Sequence, residues 1–279
     1  MRHPKASIIL LLFNRPQFMG RAIQSILDQS ITDWELIVVQ DGRNDQISAL
    51  MEQWVQRDSR IRYFHRPQAG NIAQASNFGL SQSRGTYIAI QDDDDYWIQN
   101  DKLQKQIRFL DSHLDYTGCS GGVVVIDQRD REKMRYLKPE HDGDIKRGAL
   151  LANPMCHSAG MYRLETARLC GGYDETLPGF QDWDLWLKLG LRGKLYNFPE
   201  YFTAYRVWEG AGTFHQQRVN TTAAIRILWH HRKSYRGFIP AMTLFLAYYV
   251  YARTPVVFRR RTWTLFAGLK RRMFSARQE

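Results

Sequence analysis

Cysteine is scarce in this 279-residue chain: Cys119, Cys156 and Cys170 are odd in number and have no CxxC spacing. That excludes a full disulfide framework and makes a reducing compartment the simpler setting. Long apolar runs are also lacking. Ile8–Phe13, after Lys5, is too short to span a bilayer and has no small-residue cleavage site, so it reads as a core strand rather than a signal peptide. The longest uncharged stretch of the carboxyl-terminal part, residues 237–252, contains Pro240 and falls short of the ~20 residues a spanning helix needs. Neither a Walker loop nor GxGxxG is present to cradle phosphate with glycine amides. Acidic residues all but vanish after position 217: residues 218–279 carry 13 Lys and Arg against Glu279, a net +12, whereas residues 1–217 sum to −1. Basicity is therefore a property of the tail and bears on where the protein sits, not on what its body does. An apolar content of 44% is enough for a sizeable core and excludes a disordered or fibrous chain.

What is present alternates. Ser7–Phe13 is continuously apolar, Phe18, Ala22, Ile23, Ile26 and Leu27 recur at helical spacing, and Glu35–Val39 is apolar again. The pattern continues with a helix holding Leu50 and Trp54, a strand at Arg62–His65, a helix within Asn71–Ser83 and a strand at Thr86–Ile90. A helix carrying Leu103, Ile107, Leu110 and Leu114 follows. Apolar strands between amphipathic helices predict an α/β protein with a mostly parallel central sheet covered on both faces, and ligands at the carboxyl ends of its strands.

The unusual residues fall at those ends. Phe13-Asn14-Arg15-Pro16 follows the first strand, Gln40-Asp41-Gly42 the second, and Asp92-Asp93-Asp94-Asp95 the strand ending at Ile90. Four adjacent carboxylates repel one another, and a hard cation such as Mg²⁺ or Mn²⁺, shared with substrate phosphates, would relieve the repulsion. The competing reading is a solvated loop, disfavoured by Tyr96-Trp97 directly after the run.

Taken together, these segments resemble the inverting glycosyltransferases of family 2, nucleotide-diphospho-sugar transferases of the GT-A fold, over roughly residues 5–210. Ser7–Arg15 is similar to the family's opening strand and turn, and Glu35–Gly42 to its Val-Val-Asp-Asp-Gly segment, with Gln40 replacing the first aspartate. The resemblance implies a nucleotide-sugar site of Phe13, Asn14, Arg15, Asp41, Asn77, Asp92 and Asp93. The Asp92-Asp93-Asp94 run would be the DXD motif, with Asp94 and Asp92 as metal ligands for Mg²⁺ or Mn²⁺. Ser76 stands where the family places an arginine before Asn77. Gln181-Asp182-Trp183-Asp184-Leu185 resembles the family's Glu-Asp-x-Asp-Leu segment, in which the aspartate after the glutamate is the catalytic base, a role that the resemblance transfers to Asp182; a helix N-cap is the bland alternative for it. His157, Trp183 and Asp184 are acceptor-side candidates. Trp208 stands where relatives often carry a histidine ligand, and His215 could replace it.

The domains implied are a glycosyltransferase unit at 1–217, with a nucleotide-binding half at about 1–115 and an acceptor half at about 116–217, then a basic aromatic helical extension at 218–279. Expected partners are a nucleotide-diphospho-sugar, UDP-linked by preference, a glycan or lipid-linked acceptor, and an anionic membrane surface, but no nucleic acid. That places the chain in the cytoplasm on the inner membrane face, in envelope polysaccharide or lipid-linked oligosaccharide synthesis. Packing of the extension on the body, or on a second copy in a homo-oligomer, stays open. The departures at Gln40, Ser76, Gln181 and Trp208 keep a second function open, a catalytically silent nucleotide-sugar-binding or scaffold protein.

Overall fold

The computed structural model describes residues 3–207 and 217–254. Its first half is β1 (Ala6–Leu12), α1 (Pro16–Leu27), β2 (Trp34–Asp41), α2 (Asp45–Arg57), β3 (Ile61–Arg66), α3 (Ile72–Gln82) and β4 (Tyr87–Asp92), with β3, β2, β1 and β4 side by side and parallel. Side chains alternate across β1. Ile8, Leu10 and Leu12 pack with Met19 and Ile23 of α1 and Met51 of α2, whereas Ile9 faces Ala73 and Leu80 of α3. With both faces covered the strands have no polar side to show, which is why they read as unbroken apolar runs. Gly79 lets α3 approach this closely, since a Cβ there would come within 2.8 Å of Ile9 Cγ2.

The second half comprises β5 (Tyr96–Trp97), α4 (Lys102–Ser112), β6 (Tyr116–Ile126), β7 (Glu132–Tyr136), α5 (Asp142–Gly148), a 3-10 turn (His157–Ala159), β8 (Met161–Arg163), α6 (Leu164–Leu169), α7 (Gln181–Arg192) and β9 (Lys194–Arg206). The sheet continues from β4 through β8, β6 and β9 to β5, with β7 on β6. Here it is mixed: β8 runs antiparallel to β4 and β6, while β9 is parallel to β6. The mostly parallel sheet expected is present in β3, β2, β1 and β4 and in the β6–β9 pair, and the antiparallel β8 joins the halves. Helix α4 stops at Ser112, and Leu114, expected on its apolar face, is 81% exposed in the turn leading to β6.

Two helices follow, α8 (Gln217–His231) and α9 (Phe238–Tyr251). They pack on α7: Ala224, Ile227, Leu228 and Tyr235 share a cluster with Trp183 and Leu187. Tyr235 donates to the Leu187 carbonyl at 2.7 Å, and His231 Nε2 lies 2.8 Å from Asp184 Oδ1. Among the described residues no helix is long and apolar enough to cross a membrane. Arg259–Arg261, Trp263 and Lys270–Arg272 lie outside the described residues.

This packing corrects two acceptor-side candidates. Trp183 is buried against α8 and α9 and donates to the Ala149 carbonyl at 2.8 Å. Asp184 is buried between His231 and Lys188, the latter at 2.6 Å. Burial alone would raise the Asp184 carboxyl, but His231 and Lys188 outweigh it and hold it below its ordinary 3.8. A depressed folded value contributes stability that is present above the unfolded value and lost as pH falls through the folded one. Asp184→Asn is thus expected to lower stability at neutral pH by on the order of 3 kcal/mol, the scale of breaking a buried pair, with the gap to wild type narrowing as pH falls below the ordinary carboxylate value toward the depressed folded one. Urea unfolding across this range measures it, and a gap independent of pH would remove the ion pairs as its cause.

Candidate functional site

The acidic run is a turn between β4 and β5. β4 carries Asp92 to its carboxyl end, the chain turns at Asp93 and Asp94, and Asp95 enters β5. Asp93 is completely buried, and it and Asp94 both pair with Arg15 from the turn after β1. Burial is the main reason the Asp93 carboxyl is pushed up to about 7; Arg15 opposes the shift, and Asp94 and Asp92 add to it. Asp95 is also driven well above its ordinary range, first by burial and then by Asp92 and Asp94.

Two residues that the sequence did not single out hold this turn. Buried Arg206, at the end of β9, donates from Nε to the Asp94 carbonyl at 2.9 Å and from Nη2 to Asp130 Oδ1 at 2.6 Å, and its backbone N–H reaches Asp95 Oδ1 at 2.8 Å. Ser158 Oγ lies 2.7 Å from Asp92 Oδ2 and 2.6 Å from Asp95 Oδ2. More than sixty positions separate Ser158 from these carboxylates, so no local spacing could have flagged it.

The run is a charge excess aimed at the strand ends, with oxygen donors and partial compensation from Arg15. That chemistry fits Mg²⁺ or Mn²⁺. Among the described residues no group of three or more His, Cys, Asp or Glu is arranged to hold a metal ion.

Phe13 and Asn14 follow β1, and Asp41 ends β2. Asp41 accepts from the Gly70 N–H at 3.1 Å and pairs with Arg66 at 3.0 Å. Phe13 is 51% exposed, with its ring edge near Gly42, and leaves a face free to stack on a planar ligand. Asn14, also exposed, lies within 3.5 Å of Asn44. Gln40 is buried and satisfied at both ends: its amide donates to the Gly42 and Asn44 carbonyls at 3.0 and 3.2 Å, and its oxygen accepts from Ser48 and Tyr63. A carboxylate could not make the first two contacts, which accounts locally for the amide. Ser76 is likewise turned inward, onto the Ile72 carbonyl at 2.7 Å.

Asn77 is engaged with the chain itself. Its amide donates to the Tyr173 carbonyl at 2.9 Å and to Glu175 Oε1 at 2.8 Å, and its oxygen accepts from the Tyr173 N–H at 2.9 Å. The side chain fastens the loop before α7, using both amide hydrogens and one lone pair of its oxygen. Gly172, at φ +67°, is needed there, because a Cβ would lie 2.5 Å from Asn77 Oδ1.

Asp182 occupies the first turn of α7. The residue that starts this helix is Phe180, a non-glycine in the left-handed region at φ 56°, and the N-cap alternative for Asp182 does not hold. Backbone strain of this kind is retained where the surroundings fix it. Asp182 is half-buried, and its Oδ2 accepts from Asn153 Nδ2 at 2.7 Å. Burial and then Tyr162 raise the Tyr173 hydroxyl, and Asp182 and Asp92 add to the shift. His157 is no free base. Its Nδ1 accepts from Trp186 Nε1 at 3.2 Å, an indole that can only donate, which leaves Nε2 to carry the proton 3.2 Å from the Tyr173 hydroxyl. Trp208 and His215 lie outside the described residues.

Residues 7–168 match the family described as Glycosyl transferase family 2. EpsE of Bacillus subtilis (strain 168), named as a glycosyltransferase, is 33% identical over 219 residues, 76% of this chain and 75% of its own length. The chain spans only 20%, 34% and 47% of three further curated relatives. Among solved structures, S. aureus TarS 1–349 in complex with UDP-GlcNAc matches with a TM-score of 0.66 at 16% identity, over 96% of this chain and 77% of that one. The mannosyltransferase PcManGT from Pyrobaculum calidifontis, in complex with GDP-Man and Mn²⁺, matches with a TM-score of 0.66 at 13% identity, over 96% and 81%. At such identities these two likenesses speak for the fold.

Proposed function

Because the chain belongs to glycosyltransferase family 2 and has the GT-A fold, we propose that it moves a sugar from a nucleoside-diphosphate donor to an acceptor hydroxyl by a single inverting displacement. The observation that carries this reading is that one short segment is bonded to both carboxylate centres: Asn153 Nδ2 donates to Asp182 Oδ2 on α7 at 2.7 Å, and Ser158 Oγ lies 2.7 Å from Asp92 Oδ2 in the acidic turn at the end of β4. Phe13 stacks on the nucleobase, Asp41 accepts a hydrogen bond from its edge, and Asn14 contributes from the same turn. Arg15, freed in part from Asp93 and Asp94, faces the diphosphate. Mg²⁺ or Mn²⁺, when held by Asp94 and Asp92, would stabilise the charge that develops on the leaving group. Asp182 takes the acceptor hydroxyl proton on the opposite face of the sugar, the geometry that inverts the anomeric centre. A UDP-sugar is favoured, in line with the TarS complex. The test is a nucleotide-sugar panel with and without Mn²⁺, read by thermal stabilisation and by release of nucleoside diphosphate. Product of retained anomeric configuration, or metal-independent turnover, would refute the mechanism.

The acceptor is proposed to be a glycan or lipid-linked sugar at the inner face of the cell membrane. Helix α9 exposes Ile239, Leu246 and Val250 as a stripe, and the net +12 of residues 218–279 complements an anionic leaflet. Each basic residue near such a surface contributes about 1 kcal/mol, screened by salt. The full chain should sediment with phosphatidylglycerol vesicles at low salt, release at high salt, and lose most binding on Leu246→Glu with Val250→Glu. Salt-insensitive binding, or binding unaffected by the double substitution, would point to another anchor.

A further inference from the structure

The run Asn153–Ser158 joins the two carboxylate centres. Its first residue donates from Nδ2 to Asp182 Oδ2 at 2.7 Å, and its last places Oγ between Asp92 and Asp95 at 2.7 and 2.6 Å. Every part of the run is pinned to the surrounding fold. Asn153 Oδ1 accepts from the Met155 N–H at 3.1 Å, and the Asn153 carbonyl accepts from Lys138 at 2.6 Å. Ser120 donates to the Cys156 carbonyl at 2.8 Å. The Ser158 carbonyl accepts from Trp97 Nε1 at 2.9 Å and from Thr203 at 3.2 Å. Met155, Cys156 and Ser158 are buried, and both ring nitrogens of His157 are engaged. A short segment so anchored cannot lengthen or rotate freely, and it holds one functional carboxylate at each end.

The geometry points to this segment as a fixed spacer that sets the base against the acidic turn, with Asn153 and Ser158 as positioning residues. The inference rests on the reading of Asp182 as base and Asp92 as a metal-side carboxylate. Asn153 occupies one lone pair of Asp182 and thereby fixes which oxygen is presented to the acceptor. Ser158 has a single hydroxyl hydrogen for two carboxylates, so Asp92 and Asp95 share it, and the acidic turn is held to the acceptor half through that hydrogen.

Two full-chain variants separate the ends. Asn153→Asp keeps the oxygen that accepts from Met155, so the turn survives, but sets a carboxylate against Asp182. It should lower kcat for nucleoside-diphosphate release about tenfold or more, with Mn²⁺-dependent binding of UDP or GDP, whichever wild type binds better, within about twofold. Ser158→Ala should do the reverse in binding, weakening that Mn²⁺-dependent nucleotide affinity about fivefold to tenfold by calorimetry without acceptor. Wild-type kcat in Asn153→Asp, or wild-type affinity in Ser158→Ala, overturns the spacer. So does a common fall of kcat, affinity and thermal midpoint in both, the mark of a merely structural turn. Asp182→Asn measured alongside keeps the two readings apart: if it turns over normally the base assignment fails, whereas an inactive Asp182→Asn beside a normal Asn153→Asp removes only the spacer.

Discussion

Asp94→Asn is expected to cut turnover by two orders of magnitude or more and to weaken Mn²⁺-dependent nucleotide binding at least ~10-fold, while leaving the fold intact or slightly more stable. The two effects have one origin. Asp94 is one of four successive carboxylates, and its pairing with Arg15 is shared with fully buried Asp93. In the absence of a cation the run repels itself, so deleting one charge removes a destabilising term and leaves Arg15 to Asp93. The amide keeps the shape but is a far poorer ligand for a hard cation. A site kept for function at a cost in stability gives this opposition, and a loop kept for solubility does not. The measurements are nucleotide calorimetry with Mn²⁺, product release and thermal unfolding without metal. Unchanged metal-dependent turnover would remove Asp94 from the site.

What could be read from the sequence follows from which interactions are local. The strands β1, β2 and β4 and the helices between them announce themselves because one periodicity decides each, and the acidic run stands out because like charges in sequence are like charges in space. Residues whose role depends on what lies across the sheet could not be read. Lys102 at the start of α4 looks like a solvated charge, yet it is buried, 3.9 Å above the Trp97 ring and 2.8 Å from Gln106, with burial lowering its ammonium to about 7. Trp183 and Asp184 sit next to Asp182 in sequence but turn toward α8 and α9, because a third layer covers the far side of α7. The Asn77 amide matches the motif by position, but the loop holding Tyr173 and Glu175, nearly a hundred residues on, takes its hydrogen bonds. Ser158 and Arg206 come to the acidic turn only once β8 and β9 have joined the sheet.

Asp182→Asn is expected to lower the chemical step at least ~10²-fold while nucleotide affinity stays near wild type. Asp182 shares no hydrogen bond with the acidic turn; it is held by Asn153 Nδ2 at 2.7 Å. An amide at this position keeps a contact with Asn153 by a side-chain flip and preserves the volume, so folding and donor binding are spared. What it loses is the capacity to accept a proton from the acceptor hydroxyl, whose proton is held too tightly to leave unaided at neutral pH. Neighbouring histidine offers no substitute, since Trp186 fixes its Nδ1 as an acceptor and Tyr173 engages its Nε2. The contrast with Asp184→Asn is the sharpest check. That substitution breaks the ion pair to Lys188 and disturbs the hydrogen bond to His231 and should appear in the unfolding midpoint, with kcat changed little where the protein remains folded. If Asp184→Asn abolishes turnover at full stability while Asp182→Asn turns over normally, the base is the other aspartate, and the packing of α8 on α7 has a catalytic role.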